Sequence, residues 1–333
     1  MRSFLAVLLF IGALAWVGAY HEVHSSRRPP EAPPQPLVVP PGASVAAVAE
    51  TLHGLGLVTH PMEFRAWVML RGDTARLKAG EYSLEGPLSM DQIVDMLVQG
   101  QATRHDITVP EGKSAREAAA IMATHGIDAA AFLAAASDPM AIRDLDPAAT
   151  DLEGYLFPDT YDLPLRDAPA ELVRRMVGRF RDVITPELPR VAETGLTVRQ
   201  VVTVASLVEL ETARGEERPR IAAVFLNRLE KKMLLQTDPT VIYALRAAGT
   251  YDGNIRKKDL LIDSPYNTYK YPGLPPGPIA SPGREALRAV LYPAPVKDLY
   301  FVSRNDGTHQ FSETLAEHTR AVDRYQRHRR SGS

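Results

Sequence analysis

Residues 197–212, TVRQVVTVASLVELET, leave little freedom in where they can sit. Thr197-Val198-Arg199-Gln200 carries the Thr-x-x-Gln signature of a capping box, which predicts a helix starting there and reaching about Thr212. Val201, Val202, Val204, Ala205, Leu207 and Val208 are spread around the whole helical circumference. A helix with no polar face is a buried helix, so the rest of the domain has to be built around it.

That helix nevertheless ends in Glu209-Leu210-Glu211. Glu211 shares a face with Val204, Leu207 and Val208, and Glu209 projects about 200° away, near Val202, Ala205 and Ser206. One carboxylate can therefore face a cleft while the other meets protein. Desolvation by the apolar stripe raises the pKa of the cleft-lining glutamate, and a carboxyl kept protonated near neutral pH suits a general acid. The competing reading pairs each glutamate with an arginine such as Arg214, Arg218 or Arg228.

The N-terminal segment predicts export of the rest of the chain, with Arg2 and the amino terminus left in the cytoplasm. After Met1-Arg2-Ser3, residues 4–20 (FLAVLLFIGALAWVGAY) hold no charge, and seventeen residues of helix span roughly 25 Å, the short end of a membrane crossing. Trp16 and Tyr20 suit the far interface. The run exceeds an ordinary signal-peptide core, which favours an uncleaved anchor over residues 1–24; a signal peptide cut after Ala13 and Ala15 is the rival. Residues 25–36 read as a Pro-rich linker, overlapping a segment with seven prolines between positions 29 and 41. The chain has no cysteine, which excludes a disulfide framework and a thiol nucleophile. A net charge of -2 offers no basic field for nucleic acid.

Residues 37–150 contain an internal repeat. Val39-Pro40-Pro41-Gly42-Ala43-Ser44 recurs as Val109-Pro110-Glu111-Gly112-Lys113-Ser114, and Gly56 is matched by Gly126 and Leu57 by Ile127. Each copy predicts a short strand, a glycine turn, a Ser-capped helix and a glycine stop. These α/β units resemble LysM-like modules, which bind glycan; generic α+β packing is the alternative. Residues 151–328 are mostly helical, with one hairpin turning at Asn305-Asp306-Gly307. The whole is thus expected to be α+β: a transmembrane helix, LysM-like modules, then an α-rich domain with a small sheet.

The segments ELETA, VFLNRL, LQTDPTVIY, SPYNTY, GLPPGPIASPG and DGTHQFS, taken in order, resemble those of the MltG (YceG-like) family of endolytic murein transglycosylases. The likeness spans residues 39–318. It implies that Glu211 is the catalytic acid and Glu209 a supporting residue. A broader likeness to lytic transglycosylases implies substrate contacts from Gln236, Thr237, Tyr266 and Asn267, with Asp238 in support. His309 and His318 lack metal-ligand spacing and read as packing residues, and the loop at residues 273–283 lacks the Lys-Ser or Lys-Thr of a P-loop. The resemblance further implies an inner-membrane protein with a periplasmic body and no metal or cofactor. Its substrate would be peptidoglycan strands, and penicillin-binding proteins or other wall synthases would be its partners. A glycan-binding scaffold and a water-using muramidase are the competing functions.

Overall fold

The computed structural model describes residues 23–25, 35–100, 104–164 and 169–327. The apolar segment at residues 4–20 and nearly all of the Pro-rich linker lie outside the described residues. Among the described residues, no single helix is long and apolar enough to cross a membrane. The fold is mixed α+β, with three two-stranded sheets among the described residues. Contacts divide the chain into two compact units, residues 1–106 with 162–167, and residues 107–161 with 168–333.

The first unit runs β1 (Gln35–Val39), α1 (Val45–Gly54), α2 (Pro61–Leu70), β2 (Gly80–Leu84) and α3 (Met90–Gln99). β1 and β2 pair antiparallel, with Leu37 opposite Tyr82 and Val39 opposite Gly80. Their alternation sends Leu37, Val39, Tyr82 and Leu84 inward, against Leu52 of α1, Phe64 and Val68 of α2, and Ile93 and Leu97 of α3. The buried Tyr82 hydroxyl donates to Lys78 O at 2.7 Å.

The second unit follows as β3 (Arg104–Val109), α4 (Ala115–Thr124), α5 (Ala129–Ala136), β4 (Asp159–Pro164), α6 (Pro169–Ile184), α7 (Leu188–Thr194), α8 (Val198–Glu211), α9 (Arg218–Glu230), α10 (Asp238–Ala247), α11 (Arg284–Leu291), β5 (Tyr300–Ser303), β6 (His309–Ser312) and α12 (Leu315–Val322). The division between the units falls within β3 and within β4, which pair with each other.

The two copies of the repeat fold alike locally. Ser44 and Ser114 each cap the following helix, and Gly42 and Gly112 take φ of 75° and 76° in the preceding turns. Both helices stop in the same way: Leu57 N donates to Leu52 O at 2.9 Å, and Ile127 N to Met122 O at 3.1 Å, across left-handed Gly56 and Gly126. The copies nevertheless belong to different units. Gly112 N donates to Ser281 O at 2.9 Å and Ser281 N to Lys113 O at 2.9 Å, so the second turn is stitched to a loop far along the chain. Composition changes at residue 150, but these bonds draw residues 107–150 into the second unit.

α8 is the axis of that unit. Val201, Val202, Val204, Ala205, Leu207 and Val208 are fully buried, and α9, α10 and α11 pack around them. Each buried Val or Leu contributes on the order of 2 kcal/mol. Its buried hydroxyls are satisfied: Thr203 donates to Arg199 O, and Ser206 donates to Thr203 O while accepting Ile279 N. The capping box at Thr197 and Gln200 forms as the sequence predicts, and Thr212 caps the far end in an extended conformation. β5 and β6 form the expected hairpin, which turns through left-handed Asn305 and Gly307.

Candidate active site

The two glutamates at the end of α8 meet opposite fates. The Glu209 side chain is only 5% exposed, and both of its oxygens are committed. Oε1 accepts from Arg218 at 2.7 Å, and Oε2 accepts the Gly283 amide at 2.9 Å. Burial raises its pKa, while the Gly283 amide and the Arg218 guanidinium pull it back. Arg218 also reaches Glu111 at 3.4 Å, and a Cβ on Gly283 would fall 1.8 Å from the Glu111 carboxylate. Glu209 is thus a tie between α8, α9 and the start of α11.

Glu211, by contrast, is half-buried and lines a cavity of about 370 Å³ with Arg228, Leu235, Gln236, Asp238, Tyr269 and His318. No arginine is bonded to it among the described residues. Its one hydrogen-bond partner there is the Thr237 hydroxyl, which donates to Oε1. Burial is the largest influence and raises its pKa, and nearby Asp238 pushes the same way. Thr237, and the positive potential of His309 and Arg228, oppose that rise without cancelling it. The acid form is therefore favoured above the ordinary carboxyl range.

Thr237 is held by a closed ring of hydrogen bonds. Its amide donates to Thr268 Oγ1 at 3.1 Å, and the Thr240 hydroxyl donates to Thr237 O at 2.7 Å. Thr240 has one hydrogen and has spent it, so the 2.9 Å contact between Thr240 and Thr268 must be donated by Thr268. All three threonines are buried, and the ring leaves the Thr237 hydroxyl free to serve Glu211. The preceding residue, Gln236, sits at φ 52°, a left-handed conformation that costs a non-glycine residue about 1 kcal/mol. Its amide donates to Thr268 O at 3.1 Å, which fixes the bend, and the exposed side chain stands at the cavity wall.

Asp238 also lines this cavity, so a second carboxylate stands beside Glu211, contrary to the lone carboxylate that a transglycosylase scheme leads one to expect. It is exposed, and its Oδ1 accepts the Tyr269 hydroxyl at 2.6 Å. Burial and this bond hold the Tyr269 phenol protonated well above its ordinary range.

The Tyr-Asn pair expected at the substrate is placed otherwise. Asn267 is fully buried; its amide donates to Leu260 O and Ile262 O, both at 2.9 Å, and its Oδ1 accepts Tyr269 N at 3.0 Å. Both amide hydrogens are spent on shaping the loop, so no donor remains for a sugar. Tyr266 packs at a tilt against Tyr243, ring centroids 4.8 Å apart, and does not line the Glu211 cavity. The tyrosine of the same SPYNTY segment that does is Tyr269. Only the loop's long-range bonds decide which of its tyrosines turns toward Glu211.

Two more residues escaped sequence reasoning. Arg228, weighed there only as a partner for a glutamate, donates instead to Leu299 O at 2.6 Å and Leu235 O at 2.7 Å, tying the hairpin to the Gln236 loop. His318, expected to be a packing residue, stacks on Tyr300 at 5.1 Å and also borders the cavity. Burial and Arg228 hold its pKa below the ordinary histidine value, so it is neutral near pH 7. His309 does pack, against Phe301 and Phe311, with Nδ1 2.7 Å from Glu217.

Residues 37–324 match the YceG-like family. The chain is 36% identical over 305 residues to the endolytic murein transglycosylase of Bacillus subtilis (strain 168), covering 86% of this chain and 83% of that protein. It is 31% identical over 356 aligned positions to the endolytic murein transglycosylase of Streptococcus pneumoniae serotype 2 (strain D39), covering 96% of this chain but 64% of that longer protein. The crystal structure of a YceG-like protein from Listeria monocytogenes is similar with a TM-score of 0.60 and 32% identity, over 86% of this chain and 99% of that one.

Proposed function

The chain belongs to the YceG-like family, and from that premise we propose that it is a murein lytic transglycosylase with Glu211 as its catalytic acid. The observation that carries this is the state of Glu211: a half-buried carboxyl in a cavity, raised in pKa and bonded to no arginine among the described residues. With Thr237 donating to Oε1, the acidic proton belongs on Oε2, the oxygen left to meet a glycosidic oxygen. Proton transfer to the bond between N-acetylmuramic acid and N-acetylglucosamine breaks it with oxocarbenium character. The carboxylate then takes the proton of the muramic 6-hydroxyl as that oxygen closes a 1,6-anhydro ring. An attacking hydroxyl already in the substrate needs no activated water. Gln236 offers an amide, and Tyr269 a ring face, to the sugars.

A second reading rests on Asp238. A carboxylate in the same cavity could activate water or act as nucleophile, which would make the enzyme a muramidase. Digestion of purified sacculi followed by mass spectrometry tests both. Anhydro ends support the transglycosylase, reducing ends support the muramidase, and intact strands leave only the glycan-binding scaffold. Asp238→Asn should abolish the muramidase but leave the transglycosylase active.

The finer assignments belong to the same proposal. Residues 4–20 anchor the protein in the inner membrane, with the folded units in the periplasm, where it cuts nascent strands beside penicillin-binding proteins. The first unit acts as a LysM-like glycan binder. Its strand–helix–helix–strand order and a groove of about 500 Å³ that includes Ser44, Met62, Met69 and Thr74 support that role.

A further inference from the structure

The hairpin and α12 border a second cavity that the chemistry above does not use. It measures about 590 Å³ and includes Phe311, Glu313, Arg320, Arg324 and Tyr325 in its lining. The two cavities share their walls. On the hairpin, Phe301 borders the Glu211 cavity, while its cross-strand partner Phe311 borders the second. On the helix, His318 and Val322 border the first, and Arg320 and Arg324 the second.

The charges in this second cavity are unevenly engaged. Asp298 is bound by Arg220 at 2.5 Å, and Glu317 is committed to the Thr314 amide at 3.1 Å in the capping box of α12. Arg320 and Arg324 are exposed, and neither guanidinium is salt-bridged to a described residue. Spaced four apart, they project from one side of α12 and the π-helical turn that follows it, Asp323–Arg327. Beside them the Arg220 guanidinium covers the Phe311 ring at 4.4 Å, and Arg324 lies 5.4 Å from the Tyr325 ring. Arg320 also acts electrostatically on Glu317, and two guanidinium forks outside any salt bridge, next to aromatic faces, suit a short peptide bearing carboxylates.

We propose that this cavity binds the carboxylate-bearing stem peptide attached to the muramic acid held at Glu211. The inference rests on the murein reading of the first cavity. The residues of α12 that border the two cavities stand about 200° apart, so the cavities flank a helix about 10 Å across, and an extended stem advancing about 3.3 Å per residue spans it in three or four residues. The enzyme would then read peptide-bearing strands through Arg320 and Arg324 while cutting them at Glu211.

The test uses the full-length protein and a double substitution, R320A/R324A, at two exposed positions outside the Glu211 cavity. A synthetic stem tetrapeptide with free carboxylates is titrated calorimetrically, with its fully amidated form as control. Binding should weaken at least tenfold for the amidated peptide and for the double variant; equal affinities would overturn the proposal. In parallel, cleavage of peptide-bearing strands is compared with cleavage of glycan stripped of peptide by an amidase. The wild type should show about a tenfold lower KM on peptide-bearing strands, and the variant should lose that advantage with kcat unchanged. Equal KM values for both substrates would overturn the proposal and leave the transglycosylase reading intact. Cleavage of neither substrate would remove that reading, while the peptide titration still decides what the cavity binds.

Discussion

The Thr237 hydroxyl donates its hydrogen to Glu211, while Glu209, two residues earlier on the same helix, receives Arg218. The helical turn between them separates a carboxyl that can gain and lose a proton from one locked into the scaffold.

Glu211→Gln preserves volume and removes the acid, so cleavage should fall by about 10³-fold with the thermal midpoint maintained. Glu209→Gln should behave in the opposite way. It leaves the buried Arg218 with only its 3.4 Å contact to Glu111 and should cost up to about 3 kcal/mol of stability, with activity retained within about tenfold. Paired turnover and melting measurements check both. The reverse pattern would move the catalytic role to Glu209.

Thr237→Val should shift the pH profile rather than simply reduce the rate. The Thr237 hydrogen bond stabilises the Glu211 carboxylate and so lowers its pKa. Without it the folded-state pKa rises further, and the protonated, active form persists to higher pH. The alkaline limb of kcat/KM should therefore move up, and Thr237→Ser should restore it. Thr237 makes no side-chain cap to α10, so the helix itself is not at stake.

Glu153 gives a stability prediction with a defined window. Burial pushes its carboxyl up to about 7, while Ala115 N donates to it at 2.9 Å and the Tyr243 hydroxyl at 3.4 Å. The folded state holds this proton where the unfolded chain, at 4.5, has released it. Stability is therefore lost as pH rises from about 4.5 to about 7 and stays reduced above. Glu153→Gln should melt higher than wild type at pH 8 and equally at pH 4. An equal gain at both would show that the ionisation is not responsible.

Asn267→Ala should be a folding defect. It removes three hydrogen bonds from the loop that carries Tyr269, worth about 3 kcal/mol together, and should lower the melting temperature by several degrees. If instead KM rises sharply with stability unchanged, Asn267 contacts substrate after all.

What was legible in the sequence was what local chemistry decides. The start of α8 follows from Thr197 and Gln200, its burial follows from its all-round apolar surface, and Ser44 and Ser114 announce their helices. Partners fixed at a distance were not legible. Arg214, Arg218 and Arg228 looked equivalent for pairing with glutamate, yet Arg214 reaches the hairpin at Gly307 and Arg228 the carbonyls of Leu235 and Leu299. Tyr266 and Tyr269 both stand in one short segment, and the bonds of Thr268 to Gln236 and Thr237, far away in sequence, hold that segment where Tyr269 lines the Glu211 cavity.

The stitch between the second turn of the repeat and Ser281 bears on how the protein can be cut into working pieces. A fragment begun at residue 151, where the composition changes, would discard Lys113 and Gly112, the hydrogen-bonding partners of Ser281, and Glu111, which meets Arg218. It would also strip α4, whose first amide is bound by Glu153. Leu210, between the two glutamates, would lose its neighbour Gly112, whose added Cβ would sit 3.3 Å from its side chain. An excised enzyme that keeps its shape must therefore start ahead of Ile107, with half of the repeat still attached.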